Sequence, residues 1–175
     1  MCNLWGKPRA VTDKYTKNHH PHQTLFFPEK HAMPIQWDDS FLTGLLTVDH
    51  QHQELFRKIN AFHAAMMEGK AREQLAQLLD FLAQYTQQHF RDEEQFMEYY
   101  GCPAAEANRK AHQALLQKYA EMRKQFDQDK TGVQTAMEIY RVLSDWLVQH
   151  VKGVDLQLRD AIQTQKQVPL ATGTS

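Results

Sequence analysis

The chain has 175 residues, of which 42% are hydrophobic and 23% are charged, and its formal net charge is −1. This length allows one domain with a substantial core, and the near-zero charge argues against nucleic acid or an anionic membrane as partner. No apolar run reaches the roughly 20 residues of a membrane span, and the N-terminus lacks the apolar core of a signal peptide. The two cysteines, Cys2 and Cys102, are too few for a disulfide framework. We therefore predict a cytoplasmic protein.

Residues 1–34 are predicted to form an N-terminal arm, because they show no sustained hydrophobic period and are interrupted by four prolines. Four of the ten histidines also lie in this segment: His19, His20, His22 and His31. Clustered histidines can bind metal adventitiously, but a solvated arm is the favoured interpretation of such a biased tract. Trp37 and Phe41 are predicted to pack the end of the arm onto the domain.

Four segments carry apolar residues at spacings of three and four, which define one face of an amphipathic helix. The predicted helices cover residues 48–67, 71–100, 103–128 and 133–161. Gly69 and Gly101 are expected to end the first two helices, and Pro103 to open the third. Because short loops force neighbouring helices to run antiparallel, we predict an all-α, up-down four-helix bundle over 35–162, followed by a C-terminal tail or linker over 163–175.

Each predicted helix carries one histidine on its inward face, and these four are His52, His89, His112 and His150. They lie 15 to 18 residues from the helix ends at one set of loops. At about 1.5 Å per residue they therefore share one level of the bundle, roughly 22–27 Å from those loops. A single histidine on an apolar face is more often a satisfied core residue than a ligand. Four at one level would leave polar groups buried at a cost of several kcal/mol each unless a metal binds them.

Two carboxylates lie close to this level. Glu93 follows His89 by four residues and so lies about 40° round the same helix face. Asp155 follows His150 by five residues, about 140° round an α-helix, and Gly153 is expected to ease its turn inward. Two carboxylates from different helices can bridge two metal ions, and imidazole with carboxylate but no thiolate favours iron or manganese over structural zinc. The Glu-x-x-His pairs of other di-iron bundles and the HExxH motif of zinc peptidases are both absent.

Residues 35–160 contain Trp37 and four characteristic segments: GLLTVDHQHQELFRKIN (44–60), QQHFRDEEQFM (87–97), AHQALL (111–116) and WLVQHVKGVD (146–155). They give this region a resemblance to the hemerythrin family, in particular to bacterial hemerythrin-like domains. The resemblance implies two non-haem irons, as Fe2+ or Fe3+, held by His52, His89, Glu93, His112, His150 and Asp155. It further implies that the two carboxylates and a solvent-derived oxo or hydroxo group bridge the irons, which bind dioxygen reversibly. Leu147 and Val151 flank His150 and either line the oxygen pocket or are ordinary core residues.

The chain departs from the family pattern at Asn108, where the resemblance implies a histidine. One iron would then keep His112 and His150 only, while His52 and His89 serve the other. Asn108 can bind weakly through its amide oxygen, hold a water molecule, or represent a tolerated loss. We expect the extra open position to favour oxidation or binding of other ligands over stable storage of oxygen.

Two further histidines of the first helix, His50 and His63, match nothing in the third helix. They are predicted to be surface or boundary residues and not replacements for the missing ligand.

Three classes of function remain open at this stage. The favoured class is an oxygen- or redox-sensing domain that signals to a fused or interacting output domain, such as a diguanylate cyclase. The open metal position and the polar, linker-like end QTQKQVPLATGTS (163–175) favour it. The alternatives are a stand-alone oxygen carrier or store, and an oxidase, peroxidase or nitric-oxide-handling enzyme. The enzyme is ranked last, and a protein without catalytic residues is predicted, because no acid–base pair is evident beyond the metal ligands.

Overall fold

The structure is a computed structural model that describes residues 33–128 and 133–167. Most of the predicted arm, with its four histidines, lies outside the described residues, as does the end of the predicted tail (168–175). The two described ranges contain helices and turns and no strand, as the all-α prediction requires. Within the same ranges, no helix is both long and apolar enough to cross a membrane.

Four long helices and one short helix make up the molecule. They are α1 (Leu46–Met67), α2 (Ala71–Tyr99), α3 (Ala105–Gln128), α4 (Val133–His150) and α5 (Gln157–Gln167). A 3-10 turn (Asp39–Phe41) precedes α1, and a π-helical turn (Val151–Asp155) joins α4 to α5. Each long helix packs against its neighbours in the chain, and α1 also packs against α4, so the predicted four-helix bundle is confirmed.

Glycines end the first two helices. Gly69 and Gly101 have φ angles of +76° and +60°, the left-handed conformation that closes a helix and that residues with a side chain rarely adopt. After Gly101 the turn continues through Pro103, because the backbone N–H of Ala105 donates to the carbonyl of Cys102 at 3.1 Å. The third helix therefore begins two residues later than predicted, with Pro103 in the turn and not in the helix.

The segment before α1 is packed on the bundle, as predicted from Trp37 and Phe41. Phe41 is buried, stacks on Trp37 at 5.4 Å between ring centroids and meets the edge of Phe56 at 5.0 Å. The side chain of Asn60 on α1 accepts from the backbone N–H of Ile35 and donates to its carbonyl. These contacts fix residues 35–41 against α1.

The fourth predicted helix, 133–161, is not one continuous α-helix. The backbone N–H of Leu156 donates to the carbonyl of Val151 at 3.0 Å, an i→i+5 bond typical of a π-helical turn. The helix then resumes as α5 and reaches Gln167, so the tail predicted from residue 163 begins with helix. The reason is that α5 has an apolar face, which completes a small cluster at this end of the bundle: Met97, Cys102, Ala104, Leu158, Ala161 and Ile162.

Candidate metal centre

A layer of buried polar side chains lies along the bundle between the main core and the small cluster at the α5 end. It contains all seven residues singled out in the sequence: His52, His89, Glu93, Asn108, His112, His150 and Asp155. Each is at most 6% exposed. Burying so many polar groups is unfavourable unless they are paired with one another or bind a ligand.

The four imidazoles meet in one cross-section. The ring centroids of His52 and His89 are 4.8 Å apart, those of His89 and His112 are 6.3 Å apart, and those of His112 and His150 are 5.0 Å apart. Four helices thus bring one histidine each to the same level, as their distances from the loops predict.

The carboxylate of Glu93 faces histidines on two sides. Its Oε1 lies 3.6 Å from Nε2 of His52, and its Oε2 lies 3.3 Å from Nε2 of His112. A carboxylate whose two oxygens face different imidazoles has the geometry of a bridge between two metal ions.

The carboxylate of Asp155 has the same arrangement. Its Oδ2 lies 3.3 Å from Nε2 of His52, and its Oδ1 lies 3.2 Å from Nε2 of His150. In a straight α-helix Asp155 would lie about 140° round from His150. The π-helical turn removes most of this angle, because its i→i+5 bonds make residues five apart near neighbours on one face.

The sequence predicts that Gly153 eases this turn, but the structure shows no steric need for a glycine there. Gly153 does not adopt a positive φ, and a Cβ atom placed there would meet nothing within 4 Å. The turn therefore does not need a glycine for steric reasons.

Two groups of candidate ligands share Glu93. One consists of His52, His89 and Glu93, and the other of Glu93, His112 and His150; within each group the ligand atoms lie within 4.8 Å of one another. We call them metal position 1 and metal position 2. Each position has two histidines, and the two oxygens of Asp155 face one histidine of each, His52 and His150.

Several atoms of this layer are buried and form no hydrogen bond with any described residue. They are both ring nitrogens of His52, Nε2 of His112 and His150, Oε1 of Glu93, both carboxylate oxygens of Asp155 and Oδ1 of Asn108. Nitrogen and oxygen donors left without partners at the centre of a bundle fit two metal ions, and the lack of thiolate fits iron or manganese.

The protonation states of most of these groups suit metal binding. Burial lowers the pKa of His89 and His150 to about 3, so both imidazoles are neutral at neutral pH. Burial opposes ionisation of Glu93, but the surrounding histidines, with His112 foremost, hold its pKa at about 2. Burial and the charge of Glu93 raise the pKa of Asp155 to about 6.

His52 is the exception among these groups. Burial opposes its protonation, but Asp155 and Glu93 raise its pKa. A metal at position 1 therefore has to displace a proton there.

Asn108 lies one helical turn before His112 and takes part in the layer. Its Nδ2 donates to Oε2 of Glu93 at 3.2 Å. Because Oδ1 has no hydrogen-bond partner among the described residues, it is available to a metal or to a metal-bound solvent molecule at position 2.

The remaining histidines of α1 lie outside the two metal positions. His50 is exposed, as predicted. His63 is buried, with its ring 5.0 Å from that of Tyr140, so its prediction as a surface or boundary residue is wrong. The reason is that His63 lies on the core-facing side of α1, next to Phe62 and one turn before Met66.

Sequence reasoning missed the side chains that hold the histidine rings in place. Phe90 stacks on His112 with 3.7 Å between ring centroids, and Trp146 stacks on His150 with 4.3 Å. Gln51 and Glu94 hydrogen-bond the Nδ1 atoms of His89 and His112. All four are within four residues of a predicted ligand, but only the packing of the helices shows which histidine each contacts.

An apolar cavity of about 20 Å³ lies against the rings of Phe90 and Trp146. Leu147, predicted for the oxygen pocket, lines it together with Phe90 and Trp146, the two rings that cover position 2. Val151 is buried in the main core. This space is enough for about one small molecule.

The family described as "Hemerythrin HHE cation binding domain" matches residues 43–162, a range that includes all seven residues of the layer. A bacteriohemerythrin of Pseudomonas paraeruginosa is 32% identical over 129 residues, which cover 74% of this chain and 82% of the relative. A bacteriohemerythrin of Methylococcus capsulatus is 30% identical over 115 residues, 66% of this chain and 86% of the relative. A hemerythrin-like protein of Naegleria gruberi is 28% identical over 130 residues, 74% of this chain and 94% of the relative.

Proposed function

Because the chain belongs to the hemerythrin family, we propose that its buried layer holds two non-haem irons that bind dioxygen, and that the protein responds to oxygen or redox state instead of storing oxygen. The observation that carries the metal assignment is the double bridge. In both Glu93 and Asp155, the two carboxylate oxygens face two different histidines, an arrangement that one metal ion does not require.

The chain's own groups account for the environment of the metals. His52 and His89 would hold position 1, and His112 and His150 would hold position 2, with the two carboxylates shared. Iron bound there would supply the electrons for reversible binding of dioxygen. Neutral imidazoles offer lone pairs, and the apolar residues on either side of the layer exclude bulk water.

Two features favour a response over storage. Asn108 puts an amide beside position 2, a weaker donor than the imidazole that the family resemblance implies, and so leaves this position more open. Asp155 lies in the π-helical turn that leads directly into α5. Any change in the position of Asp155 between oxidation states would therefore act on α5, the helix through which we propose a signal passes to an output partner.

A stand-alone carrier or store is the second candidate. The matched region makes up 82–94% of the three relatives described above, so each of them consists largely of this one domain. The predicted absence of catalysis and the predicted output partner stay predictions.

The test is anaerobic reconstitution with ferrous salt, followed by metal analysis and absorption spectra of the reduced, oxygenated and oxidised protein. We expect two irons per chain, oxidation within minutes in air, and different hydrogen exchange of residues 157–167 in the reduced and oxidised states. An oxygenated form that lasts for hours, with unchanged exchange in α5, would support the carrier. A reconstituted chain without iron would exclude both.

A further inference from the structure

Gln51 holds the ring of His89 through a neutral amide. Oε1 of Gln51 lies 3.0 Å from Nδ1 of His89, and its Nε2 donates to Oδ2 of Asp92 at 2.7 Å. Because the amide nitrogen donates to that carboxylate, the amide oxygen faces His89 and accepts a hydrogen bond from its Nδ1–H. Nε2 of His89 then keeps the lone pair that a metal needs.

Glu94 holds the ring of His112 through a charged group. Its Oε1 lies 2.9 Å from Nδ1 of His112. An ionised carboxylate can only accept, so Nδ1 donates and Nε2 again keeps its lone pair. Arg109 lies 3.8 Å from the other oxygen of Glu94, at the partly exposed edge of the bundle, where such a pair neutralises little of the charge.

The two metal positions therefore differ in the partner of one histidine each. A carboxylate that accepts from a ligating imidazole raises the basicity of the imidazole more than an amide does. Position 2, which has the carboxylate, is also the position beside Asn108. The stronger donor and the missing imidazole thus fall on the same metal.

We propose that Glu94 is a positioning residue that, through His112, raises the metal affinity of position 2. Position 2 is then the tighter-binding of the two positions in spite of the amide at Asn108. This inference rests on the bimetallic centre of the proposed function. Position 2 then fills first with divalent metal, and its metal is the more easily oxidised. Gln51, acting through His89, leaves position 1 the weaker.

The test is an anaerobic titration of the metal-free full chain with Co²⁺, followed by its visible absorption. We expect two binding steps for the wild type. Glu94→Gln keeps the hydrogen bond to His112 but removes the charge, and should weaken the tighter step about 10- to 100-fold while the weaker step stays unchanged. Glu98→Gln, at an exposed position on the same helix, is the matched control and should change neither step.

A second variant moves the charge to position 1. The double variant Gln51→Glu, Asp92→Asn exchanges the amide and the carboxylate of this hydrogen-bonded pair. The carboxylate at position 51 then accepts the hydrogen bond from His89, and the amide lies at position 92. We expect this variant to tighten the weaker step. The iron protein gives an independent readout, because Glu94→Gln should raise the potential of the more easily oxidised metal.

Equal weakening of both steps by Glu94→Gln, or no weakening, would overturn the inference, and so would an unchanged weaker step in the double variant. These results would leave the proposed function standing. Two distinct Co²⁺ steps that respond as expected, in a protein whose iron form shows no response to oxygen, would overturn the proposed function and support the inference.

Discussion

The side-chain amide of Asn108 donates a 3.2 Å hydrogen bond to Oε2 of Glu93, the same oxygen that lies 3.3 Å from Nε2 of His112. The amide oxygen forms no hydrogen bond with any residue in 33–128 or 133–167. Asn108 therefore belongs to the centre, with one atom engaged by the bridging carboxylate and one atom available. Changing this residue acts directly on position 2.

Asn108→His is expected to place an imidazole one helical turn before His112 and to slow oxidation in air. We expect the oxygenated protein to live about tenfold longer, which corresponds to a barrier higher by ~1.4 kcal/mol. Absorption spectra recorded after exposure of the reduced protein to air measure this lifetime. Gln113→His, at an exposed position of the same helix, should leave it unchanged. An unaltered lifetime in a variant with two bound irons would show that Asn108 does not control oxidation.

Metal binding is expected to stabilise the fold. Any ligand that binds only the folded state adds about 2.7 kcal/mol at a free concentration of 100 times its dissociation constant. Thermal unfolding with and without ferrous iron, under anaerobic conditions, should show a higher melting temperature for the loaded protein. Glu93→Ala should greatly reduce this difference, because Glu93 belongs to both ligand groups. A metal-dependent shift of undiminished size in this variant would contradict the role of Glu93 as a shared ligand.

The metal-free protein is expected to lose stability as the pH falls from about 6.5 toward 3. Burial lowers the pKa of His89 and His150 from 6.5 to about 3, so in this window the unfolded chain binds two protons that the folded chain does not. Each such proton destabilises the fold by about 1.4 kcal/mol per pH unit.

Other groups of the layer modify this slope without reversing it. Burial opposes protonation of His52, but Asp155 and Glu93 raise its pKa, so His52 acts in the opposite direction only above pH 6.5. Asp155, whose pKa is raised from 3.8 to about 6 chiefly by burial, acts in the opposite direction between those values and offsets one histidine. Glu93, whose pKa is lowered from 4.5 to about 2, adds to the loss below pH 4.5. Urea unfolding of the metal-free protein at pH 7, 5.5 and 4.5 measures how the free energy of unfolding depends on pH. A free energy of unfolding at pH 4.5 equal to or greater than that at pH 7 would contradict the predicted loss of stability.

Gly153→Ala is expected to stabilise the protein. Glycine inside a helix is less favourable than alanine by about 1 kcal/mol, and a Cβ atom at this position meets nothing within 4 Å. Gly101→Ala is the matched contrast, because Gly101 has a φ of +60° and alanine would be strained there. Denaturant unfolding and metal content measure both variants. Loss of metal from Gly153→Ala would show that the π-helical turn depends on its glycine after all.

Much of the fold could be predicted because it follows from local patterns. Apolar spacing gave the four long helices to within two residues at most ends, and the glycines at 69 and 101 marked two of the ends. Distances counted along the helices placed four histidines at one level: His52, His89, His112 and His150. The count works because short loops bring the ends of antiparallel neighbours to the same end of the bundle.

The details that could not be predicted depend on contacts between helices. The π-helical turn is not evident in the sequence, because apolar spacings of three and four continue through 133–161 as they would in one α-helix. Gln51 and Glu94 are ordinary polar residues in the sequence, and their importance appears only when α1, α2 and α3 are packed together. His63 was misjudged for the same reason, since a histidine on a mixed face is buried or exposed according to its neighbours.

The π-helical turn contains one residue more than a turn of α-helix would need to cover the same rotation. Shortening the chain by one residue within 151–154 would give His150 and Asp155 the spacing of four that His89 and Glu93 already have. A straight α-helix would then present the carboxylate in nearly the same direction and keep the apolar face of α5 in phase with its partners. Straightening the helix without removing a residue would instead rotate the carboxylate of Asp155 and the apolar face of α5 by about 100° around the helix axis. The five-residue spacing of His150 and Asp155 and the π-helical turn therefore depend on each other, and changing one without the other would move the bridging carboxylate away from the histidines.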